Sequence, residues 1–110
     1  MSTLLKSATI IDASSQFNNQ KKDILITNGV IEKIETSIPT KPNYTVVKLK
    51  NLHVSCGWFD SSVSFGEPGF EERETITNGL QTAAKSGFTT VAINSNTNPF
   101  IDNKSAVEFL

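Results

Sequence analysis

Between Gly57 and Gly69 the chain reads Gly-Trp-Phe-Asp-Ser-Ser-Val-Ser-Phe-Gly-Glu-Pro-Gly. Read with a period of two, Phe59, Ser61, Val63 and Phe65 share one side, and Asp60, Ser62 and Ser64 share the other. The pattern predicts a strand with one apolar face and one small polar face. Side chains two residues apart on a strand point the same way, so such a row can act together on one bound group. Its donors suit a transition metal poorly, because a neutral hydroxyl is a weak zinc ligand beside imidazole or thiolate. The strand runs out into Gly66-Glu67-Pro68-Gly69, a loop signal.

Softer ligands are scarce. The chain has one histidine, His53, and one cysteine, Cys56. A His-x-x-Cys spacing is compatible in the abstract with a shared ion. Both residues precede Gly57, however, and so lie ahead of the strand rather than on its polar face. A small buried cysteine and a hydrogen-bonded histidine are the expectation there. Glu71, Glu72 and Glu74 are expected as a solvated acidic first turn of a helix, where the helix dipole favours them.

The elements that position these residues follow from the apolar pattern. Leu4 to Ile11 reads as a strand and Asp12 to Gln20 as a polar loop. Asp23–Thr27 and Val30–Ile34 flank Asn28-Gly29, a preferred two-residue hairpin turn because both positions tolerate positive φ. Ser37 to Asn43, with two prolines, is a connector, and Tyr44 to Leu49 a further strand. Residues 1–53 are thus expected as an all-β unit of about four strands, and residues 54–110 as a second unit. In that second unit the strand after Gly57 is followed by a helix with Ile76, Leu80, Ala83 and Ala84 on its apolar face. Gly87 ends the helix. Phe88–Ile93 is a β-branched run of the kind buried on both faces. After a polar loop, Asp102 or Asn103 caps a last helix containing Ala106, Val107, Phe109 and Leu110. A strand-helix-strand-helix order implies parallel strands with covering helices. Two such strands do not close a sheet, so the pattern reads as the start of a larger α/β protein.

Composition excludes several classes. The chain has 110 residues, a formal net charge of −1, and no basic stripe, which argues against a nucleic-acid partner. No apolar run approaches the roughly 18 residues that span a bilayer. The N-terminus lacks the basic and apolar regions of a signal peptide, and one cysteine makes no internal disulfide, so a cytoplasmic address is expected.

The segment from Gly57 to Leu110 resembles dihydroorotases, of the amidohydrolase superfamily. The family pattern at the first barrel strand is Gly-(apolar)-(apolar)-Asp-x-His-x-His-(apolar)-Arg-Glu-Pro-Gly. This chain matches it at Gly57, Asp60 and Glu67-Pro68-Gly69. The match resumes at Phe70-Glu71 and at Gly87-Phe88-Thr89-Thr90-Val91. It continues into Asn96-Thr97-Asn98-Pro99, with Ser95 in place of a family proline. The all-β half resembles the small β-sandwich that flanks the barrel in these enzymes. The resemblance implies an α/β fold with an all-β N-terminal part. A small β-sandwich segment is followed by the first two β/α units of an incomplete (β/α)8 TIM barrel, with its site at the C-terminal ends of the strands. It implies zinc as the family cofactor, held in part by the His-x-His pair, and hydrolysis or closure of a cyclic amide. It also implies an arginine for the substrate carboxylate.

The chain departs from the family at those functional positions. Ser62 and Ser64 stand at the two histidine positions and Gly66 at the arginine position, while the surrounding frame is kept. No catalytic residue and no metal ligand is therefore expected from this strand, and no cofactor for this chain. Asn96 matches a family asparagine that contacts substrate. Without the arginine, loop structure is the stronger expectation for it. The leading functional expectation is a catalytically inactive, metal-less dihydroorotase-like protein, or a portion of one, acting as a scaffold or assembly subunit. By the same resemblance, aspartate carbamoyltransferase or self-association is the partnership to test. The alternative is an active dihydroorotase-type cyclic amidohydrolase using metal ligands from later barrel strands. A third possibility is an oligomerising structural protein like the dihydropyrimidinase-related proteins. It ranks lower because Glu67–Phe70 and Asn96–Pro99 look like dihydroorotases specifically.

Overall fold

The computed structural model describes residues 1–109 and divides between Cys56 and Gly57 into two units. Leu110, expected in the last helix, lies outside the described residues.

The first unit is one five-stranded sheet. Strands β1 (Ser2–Ile11), β2 (Lys21–Thr27) and β3 (Val30–Glu35) form an antiparallel meander. Asn28 and Gly29 both take positive φ in the tight turn between β2 and β3, as the sequence predicts. On the other side of β1, two short strands run parallel to it: β4 (Tyr44–Val47) beside its first half and β5 (His53–Ser55) beside its second. The sequence gives no sign of β5, whose three residues lack an apolar alternation. Its pairing carries the first unit on to Cys56 rather than to residue 53.

The sheet has two apolar sides. Leu4 and Leu25 pack with Ile38 of the connector and with Tyr44. Ala8, Ile10 and Ile24 pack with Leu5, Phe17, Ile26, Ile34, Leu52 and Val54. Burying a side chain such as Leu4, which is fully buried, stabilises by about 1.5–3 kcal/mol relative to leaving it exposed. One polar group is buried with them. Asp23 accepts from Lys6 Nζ at 2.5 Å, Ser7 N at 2.8 Å and Ile38 N at 2.9 Å. It thereby ties the irregular step in β1 to β2 and to the connector.

The second unit holds β6 (Trp58–Val63), α1 (Ile76–Lys85), β7 (Phe88–Ile93) and α2 (Lys104–Phe109). β6 and β7 pair in parallel, so the expected strand-helix-strand unit is present. Thr75 caps α1 by accepting from Asn78 N at 3.2 Å, and Glu67 from the preceding loop accepts from Ile76 N at 2.9 Å. The helix starts later than the acidic cluster, so Glu71, Glu72 and Glu74 are not its first turn. Glu74 instead accepts from Asn78 Nδ2 at 2.6 Å. Ile76, Gly79 and Ala83 are the least exposed positions of α1, while Leu80 and Ala84 are exposed but line the groove between α1 and β7 with Ala83. Gly79 is the point of close approach to Phe65, just past the end of β6. A Cβ there would meet the Phe65 ring at 2.5 Å, so the helix lies against Phe65 through a bare backbone. Asn103 caps α2 by accepting from Ala106 N at 3.0 Å.

Candidate strand-end site

The strict alternation predicted for β6 fails in its middle. Asp60 pairs with Val91 and Val63 with Ile93, so three steps on β6 face two on β7. The extra residue reverses the phase. Asp60 consequently lines a cleft with Val63, Phe65 and residues of α1, not the face that carries Ser62 and Ser64. Its carboxylate accepts the Ser62 N–H at 3.0 Å, which satisfies a backbone group at the irregularity. The other end of the pairing is irregular as well, with Trp58 opposite Phe88 and Phe59 opposite Thr90. β7 is accordingly half-buried at Phe88, Val91 and Ile93 and exposed at Thr89, Thr90 and Ala92, so within the second unit it is not buried on both faces.

Ser62 and Ser64 do share a face, at the C-terminal end of β6. Both are exposed and both are held by Asn94, the first residue beyond β7. Asn94 Nδ2 donates to Ser62 Oγ at 3.1 Å and to Ser64 Oγ at 3.2 Å, and Ser62 Oγ lies 3.4 Å from Asn94 Oδ1. The Asn94 backbone N–H donates to Val63 O at 2.8 Å, which fixes the side chain between the two hydroxyls. In the sequence Asn94 is the first residue of a polar loop. The signal that could have found it is topological: in a parallel pair, the residues just past both strands meet at one end.

Gly66 is buried in a closed turn. Its N–H donates to Glu74 O at 2.9 Å and its carbonyl accepts from Phe70 N at 2.7 Å. A Cβ at this position would run into the Phe70 carbonyl oxygen and lie 3.0 Å from Glu74 O. The turn thus has no room for the side chain that the family motif carries there.

The second loop docks on the first, through Asn98 N donating to Pro68 O at 2.9 Å. Thr97 is buried and donates from Oγ1 to Pro99 O at 2.9 Å. The internal loop bond expected of Asn96 is thus made by Thr97. Asn96 is exposed, and no side-chain hydrogen bond of Asn96 occurs among the described residues.

His53 and Cys56 are each directed to a different neighbour. The ring Nδ1 of His53 lies 2.7 Å from Asn51 O, and Cys56 Sγ is directed to Asp12 Oδ2 at 3.6 Å. Cys56 is exposed, contrary to the buried packing role expected for it. Among the described residues no group of three or more His, Cys, Asp or Glu side chains could hold a metal ion. At the strand end the available donors are two hydroxyls and an amide already bonded to one another. That set does not fit zinc.

The Dihydro-orotase-like family pattern matches residues 53–110. The dihydroorotase of Caldanaerobacter subterraneus subsp. tengcongensis is 38% identical over 110 residues, which is 100% of this chain and 25% of that protein. The Bacillus subtilis dihydroorotase gives the same identity and coverage. That of Elusimicrobium minutum is 39% identical over 105 residues, 96% of this chain and 24% of its own. Among solved structures, a prolidase complexed with N-methylphosphonate-L-proline superposes with a TM-score of 0.59 at 16% identity, covering 86% of this chain and 26% of that one. A Xaa-Pro dipeptidase with methionine in its active site gives 0.52 at 21%, covering 87% and 27%. These two likenesses concern fold alone.

The fold is one shared with these two chains only in outline. The family is shown by the sequence, and the chain belongs to the dihydroorotase-like family. It spans about a quarter of the length of the curated relatives it matches.

Proposed function

We propose that this chain is the opening portion of a dihydroorotase-like protein that has lost the metal chemistry of its first barrel strand and serves as a scaffold or assembly subunit. In this reading the first unit is a segment of a small β-sandwich. The second is the first two β/α units of a (β/α)8 barrel, and the protein works in the cytoplasm.

The observation that carries the reading is the strand end itself. Ser62 and Ser64 are tied into a neutral network by Asn94, and Gly66 sits where no side chain fits. A hydroxyl has to give up that bonding before it can turn to an ion, and it remains a poor ligand once it has. Loss of one residue could be compensated; the two hydroxyls and the closed turn all point the same way.

The partner to test first is aspartate carbamoyltransferase, with self-association as the second arm. Light scattering on the purified full-length protein, alone and mixed with that enzyme, measures both. A mass above the monomer in either arm, without dihydroorotate turnover, supports the assembly role. A monomer in both arms sinks it. The alternative is an active cyclic amidohydrolase whose ligands come from later strands, with Asn96 as its substrate contact. What favours it is length, since three quarters of the relatives lies beyond the matched region. Turnover with bound metal would establish it.

A further inference from the structure

We infer that Asn94 is a clamp that joins the C-terminal ends of β6 and β7 without metal, and that Ser62 and Ser64 serve as its two anchors. The inference deepens the reading of a metal-less strand end and rests on it.

Three features set Asn94 apart from an ordinary loop asparagine. Its backbone is pinned to Val63 O at 2.8 Å, so the side chain starts from a fixed point on the neighbouring strand. Its amide spans two anchors two residues apart, with 3.1 Å to Ser62 and 3.2 Å to Ser64. Both N–H donors are used, one for each hydroxyl, and the carbonyl faces Ser62 at 3.4 Å. Neither serine can replace the amide, because a hydroxyl has a single proton to give. Register makes the clamp possible. Because β6 gains one residue on β7 between Asp60 and Val63, Ser62 and Ser64 flank the carbonyl to which Asn94 is pinned. The tie also falls where the pair needs one. The ladder stops at Val63 and Ile93, and the bond from Asn94 N with this side-chain network continues the tie directly beyond it, ahead of the loop contact from Asn98 N to Pro68 O.

Hydrogen exchange on the full-length protein tests the clamp. Asn94→Ala is expected to speed exchange at the Asn94 amide by roughly 5-fold, the size of one net hydrogen bond, and to leave the first unit unchanged. Ser62→Ala and Ser64→Ala should each give part of that increase. Combined with Asn94→Ala they should add nothing, because the bonds are already gone. Exchange that is unchanged in Asn94→Ala, or increments that simply add in the double variants, overturns the clamp. All these residues are exposed, so the variants are expected to fold. Metal content measured on the same samples separates the two levels. Zinc at the strand end of the wild type defeats the metal-less reading itself, whereas additive exchange in a zinc-free protein defeats the clamp alone.

Discussion

The backbone of Gly66 and that of Phe70 close on each other: the Phe70 N–H donates to the Gly66 carbonyl at 2.7 Å, and a Cβ on Gly66 would point into the Phe70 carbonyl oxygen. The turn between β6 and α1 therefore excludes a side chain at the position where the dihydroorotase motif carries arginine. Gly66→Ala should cost about 1–3 kcal/mol, the range for overpacking a tight site. Gly66→Arg should cost no less, since it brings the same Cβ. Urea denaturation of the two variants checks this, and an Ala variant as stable as the wild type would show the turn to be open.

A second close approach has two effects of opposite sign. Gly79→Ala gains about 1 kcal/mol of helix propensity in α1. The new Cβ would also meet Phe65 Cδ1 at 2.5 Å. Phe65 is buried and cannot swing freely, so overpacking of about 1–3 kcal/mol should win. The expected outcome is a lower Tm for Gly79→Ala. Gln81→Ala, at an exposed position of the same helix, should leave Tm nearly unchanged.

The pH dependence of the first unit should centre on Asp23. Burial pushes its carboxyl up, but hydrogen bonds from Lys6, Ile38 and Ser7, with the charge of Lys6, together hold it below its ordinary value of 3.8. A carboxylate depressed in the folded state contributes stability that is complete above the unfolded value. That stability is lost as pH falls below 3.8 and through the folded value. Asp23→Ala strands Lys6 and two backbone N–H groups, and should cost about 3–5 kcal/mol at neutral pH. Urea midpoints measured at pH 7 and in acid should converge for wild type and variant as the pH is lowered. A constant gap would place the stabilising charge elsewhere.

Much of this was legible in the chain, for physical reasons. Asn28-Gly29 declares a hairpin because few residue pairs accept two positive φ values. The order of apolar runs after Gly57 declares a parallel strand-helix-strand unit because an intervening helix carries the chain back to the end of the sheet where the first strand began. What could not be read depends on a partner strand. The register slip between Asp60 and Val63 moves Asp60 off the serine face, and period-two counting on β6 alone cannot reveal it. β5 is three residues whose only strand character is their pairing to β1. Asn94 becomes a site residue only because β7 ends beside Val63. The close approach of α1 to Phe65 falls at Gly79, a residue with no side chain to enter an apolar pattern.

Returning imidazoles to the strand end should exchange a hydrogen-bonded tie for a metal one. Ser62→His with Ser64→His places two nitrogen ligands on one exposed face, so zinc should raise the Tm of the double variant and not that of the wild type. At a zinc concentration a hundred times the dissociation constant the gain is about 2.7 kcal/mol. Calorimetric melting with zinc and with chelator reads it. A double variant that ignores zinc would mean that the two positions do not converge on one ion.

The proposed assembly role requires a dihydroorotase-like protein that works without metal. Inductively coupled plasma mass spectrometry of the full-length protein, purified without chelator and assayed on dihydroorotate, decides whether it does. Zinc well below one ion per chain, with no turnover, is the predicted result. Stoichiometric zinc together with turnover of dihydroorotate would contradict it.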